Sequence, residues 1–314
     1  MASLEYAAKY RNKMFGKGGF NMLPYRPEGM NTVAPAMDAL RKSIGTGEIF
    51  EALCTKCDEY HNLHVDLGGH LGLIPRNEAA LGFTEGRTKP YALLSRVGKP
   101  VCFQVLDFQS DGTAILSRRA AQAEAKDYFL CALRPGDVID AVVQNPAEFG
   151  LFCDIGCGFP AMMRIDRCCI SRLRSTKDLY YTGQHIKVAV LSIDDELGQV
   201  HLTGRELLGT WADNAALFRA GQTVPGTVRS IMPYGAFIEL TPNLSGLAET
   251  VPELEVGDCV SVYIRSILPD RHKIKLNIIE RIPSPIYRDM KYFVLSSSIK
   301  KWEYYPESVA ITVF

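Results

Sequence analysis

Between residues 218 and 281, apolar and polar positions alternate in short runs separated by turn residues. Val224, residues 227–231 and residues 237–240 are rich in β-formers, and Pro-Tyr-Gly and Pro-Asn interrupt them as hairpin turns do. Residues 258–267 and 274–279 add two further runs, divided by Leu-Pro-Asp-Arg-His. Five short strands in so little chain predict a closed barrel, because closure removes the unpaired edges that each strand would otherwise expose. The spacing suits an OB-type barrel.

The residues at the turns and strand starts sharpen this. Gly221, Val224, Gly226, Val228, Ile231, Tyr234, Gly235, Phe237, Gly246, Leu247, Gly257, Asp258 and Val260 fall in one frame. That frame resembles the S1 RNA-binding domain. The resemblance implies a barrel that holds single-stranded RNA by stacking bases on Tyr234 and Phe237. Spacing alone would set residues three apart on opposite faces of a strand, so the intervening glycine must allow a bend.

The same rhythm recurs twice upstream. Residues 134–206 hold a second barrel, with Gly136, Val138, Val142, Phe149, Gly150, Phe152 and Gly158 in the matching places and a Leu197-Gly198 turn before the last strand. It departs from the family at residues 159–165, where Phe-Pro-Ala-Met-Met-Arg-Ile replaces a segment that usually carries a histidine. Residues 45–119 form a degenerate first copy, with an insertion at 82–99 and with His61 and His64 where the pattern places its two aromatics. Residues 120–133 are Ala-rich without Gly or Pro and predict a linking helix, and residues 207–217 a second one around Trp211. The whole is therefore expected to be all-β, three tandem five-stranded OB barrels joined by helical linkers like beads on a rod. Residues 1–44 form an extension with a lead-in helix over 33–43, and residues 282–314 a C-terminal hairpin around Tyr-Tyr-Pro-Glu.

Charge and composition narrow the function. The 314 residues carry 35 basic and 35 acidic side chains, so no bulk positive field draws the chain to nucleic acid. The N-terminus has no apolar signal-peptide core and no run is long enough for a membrane span, and nine irregularly spaced cysteines suit reduced thiols. A cytoplasmic, membrane-free protein is expected.

Basic residues are instead local. Arg164, Arg167, Arg172, Arg174 and Lys177 lie close together with Asp166 as the one acidic residue among them, although the barrel around them is net acidic. This makes the second barrel the stronger expected RNA site, with Phe149 and Phe152 as its aromatic faces and Lys187 and His201 on its later strands. In the third barrel Arg229, Arg265, Arg271, Lys273 and Lys275 flank Tyr234 and Phe237, but Glu249 stands where the family carries histidine. Tyr6, Tyr10 and Phe15 among basic residues make the N-terminal arm a weaker RNA candidate. Enzyme signals are poor. Cys54 and Cys57 form a lone CxxC without a second pair, Gly16-Lys17-Gly18-Gly19 lacks the strand and helix of a phosphate loop, and no metal or cofactor is expected.

The resemblance implies a protein of the ribosomal protein S1 type that binds messenger RNA, with the small ribosomal subunit or another RNA-handling protein as partner. Two alternatives stay open. One is a protein-docking module with little RNA affinity of its own. The other is a transcription or decay accessory with one active barrel.

Overall fold

The computed structural model describes residues 24–29, 35–283 and 290–314. The N-terminal aromatic arm and the Gly16–Gly19 loop lie outside the described residues. After helix α1 (Met37–Lys42), the first barrel comprises β1 (Phe50–Cys57), β2 (Leu63–Asp66), β3 (Leu71–Ile74), β4 (Pro100–Phe108) and β5 (Ala114–Ser117), with helix α2 (Pro90–Leu94) in the insertion. Helix α3 (Arg118–Ala132) leads to the second barrel: β6 (Val138–Pro146), β7 (Gly150–Asp154), β8 (Pro160–Arg164), β9 (His185–Asp194) and β10 (Gln199–Thr203). Helix α4 (Trp211–Ala215) precedes the third: β11 (Thr223–Met232), β12 (Gly235–Thr241), β13 (Leu244–Ala248), β14 (Cys259–Leu268) and β15 (Lys273–Ile282). A two-stranded sheet of β16 (Lys301–Glu303) and β17 (Ile311–Val313) ends the chain.

All three barrels close in the same order. The first three strands form an antiparallel meander, the fourth returns beside the first, and the fifth runs parallel to the third. Alternation along each strand explains which side chains fill the interior. On β12, Ala236 and Ile238 are buried while Phe237 between them is half-exposed, and β7 repeats this with Leu151, Phe152 and Cys153. A bulge after the middle of the first strand recurs at Cys54/Lys56, Val143/Asn145 and Val228/Ser230.

The linkers differ from a rod. Helix α3 starts at Arg118, where Ser117 Oγ caps it by accepting from Ala120 N at 2.9 Å, and it buries Ala121, Ala125, Tyr128 and Phe129 along one face. Its Gln122 accepts from Leu81 N (2.7 Å) and donates to Gly158 O (2.6 Å), so the helix is bonded to both neighbouring barrels. The second linker is helical only over α4, behind a Thr210–Asp213 capping box. Gly209, at φ +82°, holds the preceding residues in turns instead of helix. Trp211 is buried against the third barrel and the C-terminal hairpin, and its backbone N–H donates to Tyr304 O at 2.9 Å. That hairpin, through Ile299, Trp302 and Tyr304, shares one apolar cluster with Ala189 and Leu207 and with the third barrel's core.

Buried charge fixes the barrels to one another. Glu28 lies in the seam between the first two, with Arg118 on both its oxygens (2.8 and 3.0 Å) and Arg96 at 3.3 Å. Burial raises its pKa, but the two guanidinium groups outweigh this and hold the carboxyl below its usual range. Asp154 next to it accepts from three backbone N–H groups, those of Glu28, Gly156 and Gly158. Burial and the Glu28 charge push its carboxyl up to about 7.

Between the second and third barrels, Arg229 is 9% exposed and pairs with Glu239 (2.9 and 3.1 Å) and with Asp178 of the second barrel (3.2 Å). Removing one member of a buried pair leaves the other charge stranded, at a cost of about 3–5 kcal/mol. Glu28→Ala and Arg229→Ala are each expected to lose stability of that order, read as a drop in urea midpoint. A midpoint shift equivalent to less than about 1 kcal/mol in either variant would contradict the seam roles assigned here.

Candidate nucleic-acid interface

The aromatic pairs are built by the turn between the first and second strands of each barrel. Tyr234 lies in the turn before β12, 68% exposed, and Phe149 occupies the same place before β7, 59% exposed. Because these rings precede the strand, the two-residue alternation does not govern them, and each reaches the outer face beside the third strand residue. Phe149 and Phe152 meet edge to face at 6.0 Å, and Tyr234 and Phe237 at 6.3 Å. The glycine between them is needed for close approach. A Cβ on Gly150 would stand 2.7 Å from Met163 O, and one on Gly235, at φ +148°, 2.6 Å from Ala248 O.

Strand register extends each pair into a row across the barrel. Phe152 pairs with Met162 on β8, which pairs with His201 on β10. In the third barrel the corresponding row is Phe237, Leu247 and Lys275. Every one of these side chains is half-buried or exposed on the outer face. Each row therefore combines an aromatic face, an apolar step and a nitrogen-bearing side chain, which is the combination that a stacked base and its phosphate require. Met162 and Leu247 are members that sequence reasoning missed. The signal for them is their pairing with the aromatic strand, which only the register reveals.

His64 does stand in that row in the first barrel, with Leu73 and Ile115. Its ring is half-buried and Nε2 lies 3.4 Å from Asp58. Burial raises the Asp58 pKa, but hydrogen bonds from the Asn62 side chain and backbone, from His64 and from Tyr60 N outweigh it and hold the carboxyl below its usual range. His61 sits in the β1–β2 turn at φ +65°, with Nδ1 buried and unbonded. Neither ring stands free as Tyr234 does. Tyr60 is the exposed aromatic of this turn, at 69%.

The cations divide into three groups. Arg229 is no surface group at all: it is the extra residue of the β11 bulge, which turns it into the seam with Glu239 and Asp178. Lys187 pairs with Asp140 at 2.8 Å, five residues along β6 from the strand position opposite Phe152, about 17 Å away. It does not join that row. Arg164 is opposite Gly150, beside the aromatic pair, with Asp166 at 2.9 Å, while Arg167 is half-buried and 3.9 Å from the same carboxylate. Arg174 donates to Val256 O of the third barrel at 2.9 Å. Arg172, Lys177, Arg265, Arg271, Lys273 and Lys275 are exposed and have no ion pair among the described residues. Arg265, the bulged residue between Ile264 and Ser266, flanks Lys275, and Lys273 lies two residues along the same face. Arg271 is in the turn before β15, further from the ring of Tyr234. Glu249 follows β13 at the position that Arg164 holds after Met163, so the two barrels carry opposite charges there.

The cysteines are placed for packing. Cys54 is in the first barrel's core and burial raises its thiol to about 11, and Cys57 beside it packs against that core, its thiol also raised by burial. Among the described residues no three His, Cys, Asp or Glu side chains come together as a metal site, and no helix is long and apolar enough to cross a membrane.

No model of a known protein family matches the chain. Curated relatives do. It is 31% identical over 267 residues to the small ribosomal subunit protein bS1 homolog of Bacillus subtilis, covering 80% of this chain and 68% of that one. It is 28% identical over 262 residues to the small ribosomal subunit protein bS1 of Staphylococcus aureus strain COL, covering 78% of this chain and 65% of the relative. The chain thus spans about two thirds of the length of these proteins. Among solved structures, a multidomain protein with nucleic acid binding domains from Streptococcus pneumoniae is 12% identical, covers 76% of this chain and 75% of its own, and overlays with a TM-score of 0.26. The strand order described above, and not that loose overlay, defines the fold. On the identity to the Bacillus protein, over most of both chains, this chain belongs to the bacterial ribosomal protein S1 family.

Proposed function

We propose that this protein binds single-stranded RNA on the outer faces of its second and third barrels, and that it does so as a messenger-RNA-contacting protein of the small ribosomal subunit. The observation that carries the RNA reading is the repeated row: Phe149 and Phe152 with Met162 and His201, and Tyr234 and Phe237 with Leu247 and Lys275. The ribosomal reading rests on the relatives, which are named as small ribosomal subunit proteins. The relatives are ribosomal proteins, and binding is the function proposed for these faces.

The two barrels differ in how their cations are used. In the second, Arg164 and Arg167, next to the aromatic pair, face Asp166, while the unpaired Arg172, Arg174 and Lys177 lie in the segment between the two barrels. In the third, Arg265, Lys273 and Lys275 stand unpaired beside Phe237, opposed by Glu249 alone on that row's edge. The third barrel is therefore the stronger site, a reversal of the ranking that the density of basic residues along the sequence suggests. The first barrel has no free aromatic pair, and its face, with exposed Leu53 and Leu71, suits contact with protein.

Three phosphates neutralised on a single strand give a logarithmic salt slope of about −2. Affinity for an unstructured RNA of about twenty nucleotides, which reaches at least these three cations, is accordingly expected to fall at least about twenty-fold between about 50 and about 200 mM salt, measured by fluorescence anisotropy. Absence of binding at low salt would overturn the RNA reading. Stacking is worth ~1–3 kcal/mol per base, so Tyr234→Ala with Phe237→Ala, which removes at least one stacked base, is expected to weaken binding at least about 5- to 150-fold. Phe149→Ala with Phe152→Ala is expected to cost less. Equal losses, or a larger loss from the second-barrel pair in folded protein, would contradict the ranking.

A further inference from the structure

The basic segment 164–178 belongs to the second barrel by sequence but is bonded to both barrels close to their aromatic faces. On both sides of its middle it is bonded to the turn that carries Phe149. Ile165 N donates to Phe149 O at 3.1 Å, and Thr176 Oγ1 donates to Ala147 O at 2.8 Å. Its middle and its last residue lie on the third barrel. Ser171 N donates to Pro242 O (3.0 Å), Ser171 Oγ meets Ser245 Oγ (3.1 Å), and Asp178 receives Arg229, which is itself held by Glu239.

Register locates that second contact. Glu239 pairs with Ser245 across β12 and β13, and the next outward-facing pair on the same strands is Phe237 with Leu247. Two residues along a strand is about 7 Å, one side-chain step. The segment is thus anchored next to Phe149 on one side and one step from Phe237 on the other. Arg172, beside Ser171, and Lys177, beside Asp178, are exposed without an ion pair among the described residues, and Arg174, its side chain's one anchor a neutral carbonyl, keeps its charge uncompensated.

We propose that segment 164–178 is a cationic bridge over which one RNA strand passes from the Phe149–Phe152 pair to the Tyr234–Phe237 pair, so that the two barrels hold a single strand jointly. This rests on the RNA-binding reading above. Phosphates between the two stacking sites meet Arg172, Arg174 and Lys177. The Asp178–Arg229–Glu239 contact fixes the distance between the sites, so the second site is offered to an already bound strand at high effective concentration. The bridge selects for a continuous unstructured stretch, since a duplex cannot present unstacked bases to both pairs.

Stoichiometry and length dependence test this by calorimetry on the full chain. An oligouridylate of about six nucleotides fits one barrel, so two are expected to bind per protein, whereas an oligomer of about twenty nucleotides is expected to bind one to one. Arg172→Ala with Lys177→Ala is expected to weaken the long oligomer at least five-fold more than the short one. Two long oligomers per protein, or equal losses for long and short in the variant, would overturn the bridge while leaving RNA binding by separate barrels intact. Failure of both oligomers to bind wild-type protein would instead overturn the RNA reading, and the bridge with it.

Discussion

Each barrel depends on the parallel pairing of its third and fifth strands. Without it the meander of three strands and the returning fourth would leave two open edges, and the apolar side of a sheet this short could not be covered. The same pairing decides what the outside offers. It sets His201 beside Met162 and Lys275 beside Leu247, and so completes a row that begins with an aromatic in the first turn. Core and interface are two faces of one register. A one-residue slip in the last strand would turn Lys275 inward and Leu276 outward and destroy both.

The seams give the protein its second level of order. Apolar contact alone would let the barrels rock. The Glu28–Arg118–Arg96 cluster and the Arg229–Glu239–Asp178 cluster instead tie each pair of barrels at points where a shifted geometry would strand a buried charge. The C-terminal hairpin adds an apolar wedge, with Trp302 and Tyr304 packed where the second and third barrels approach. The two aromatic rows are consequently held in fixed relation, which is why a loop of one barrel can lie along the face of the next.

Much of the fold was legible in the sequence because its signals are local. Alternating residues and turn glycines such as Gly150 and Gly235 mark strands and their breaks, and the aromatic three residues apart mark the exposed turn. What was not legible depends on distant pairings. Arg229 looks like a surface cation on a strand, but it occupies a bulge, and one of its carboxylate partners, Asp178, is 51 residues away. Lys187 looks like a neighbour of Phe152, yet the register carries it to the far end of its sheet. His61 and His64 fall in the expected places, but the turn angle of one and the Asp58 contact of the other are set by local backbone that the motif does not specify. The details of the linkers were hidden for a related reason. Helix in the second linker is confined to Trp211–Ala215, after Gly209, and nothing local announces that Gln122 of the first will be bonded to both sides.

The central claim is that RNA lies on the two aromatic rows. Photo-cross-linking of a thiouridine-substituted single strand, followed by peptide mapping, tests it most directly. The account predicts cross-links on the peptides that hold Tyr234 and Phe237 and on those that hold Phe149 and Phe152. Cross-links confined to the first barrel, or to the β6–β9 side that carries Asp140 and Lys187, would contradict it.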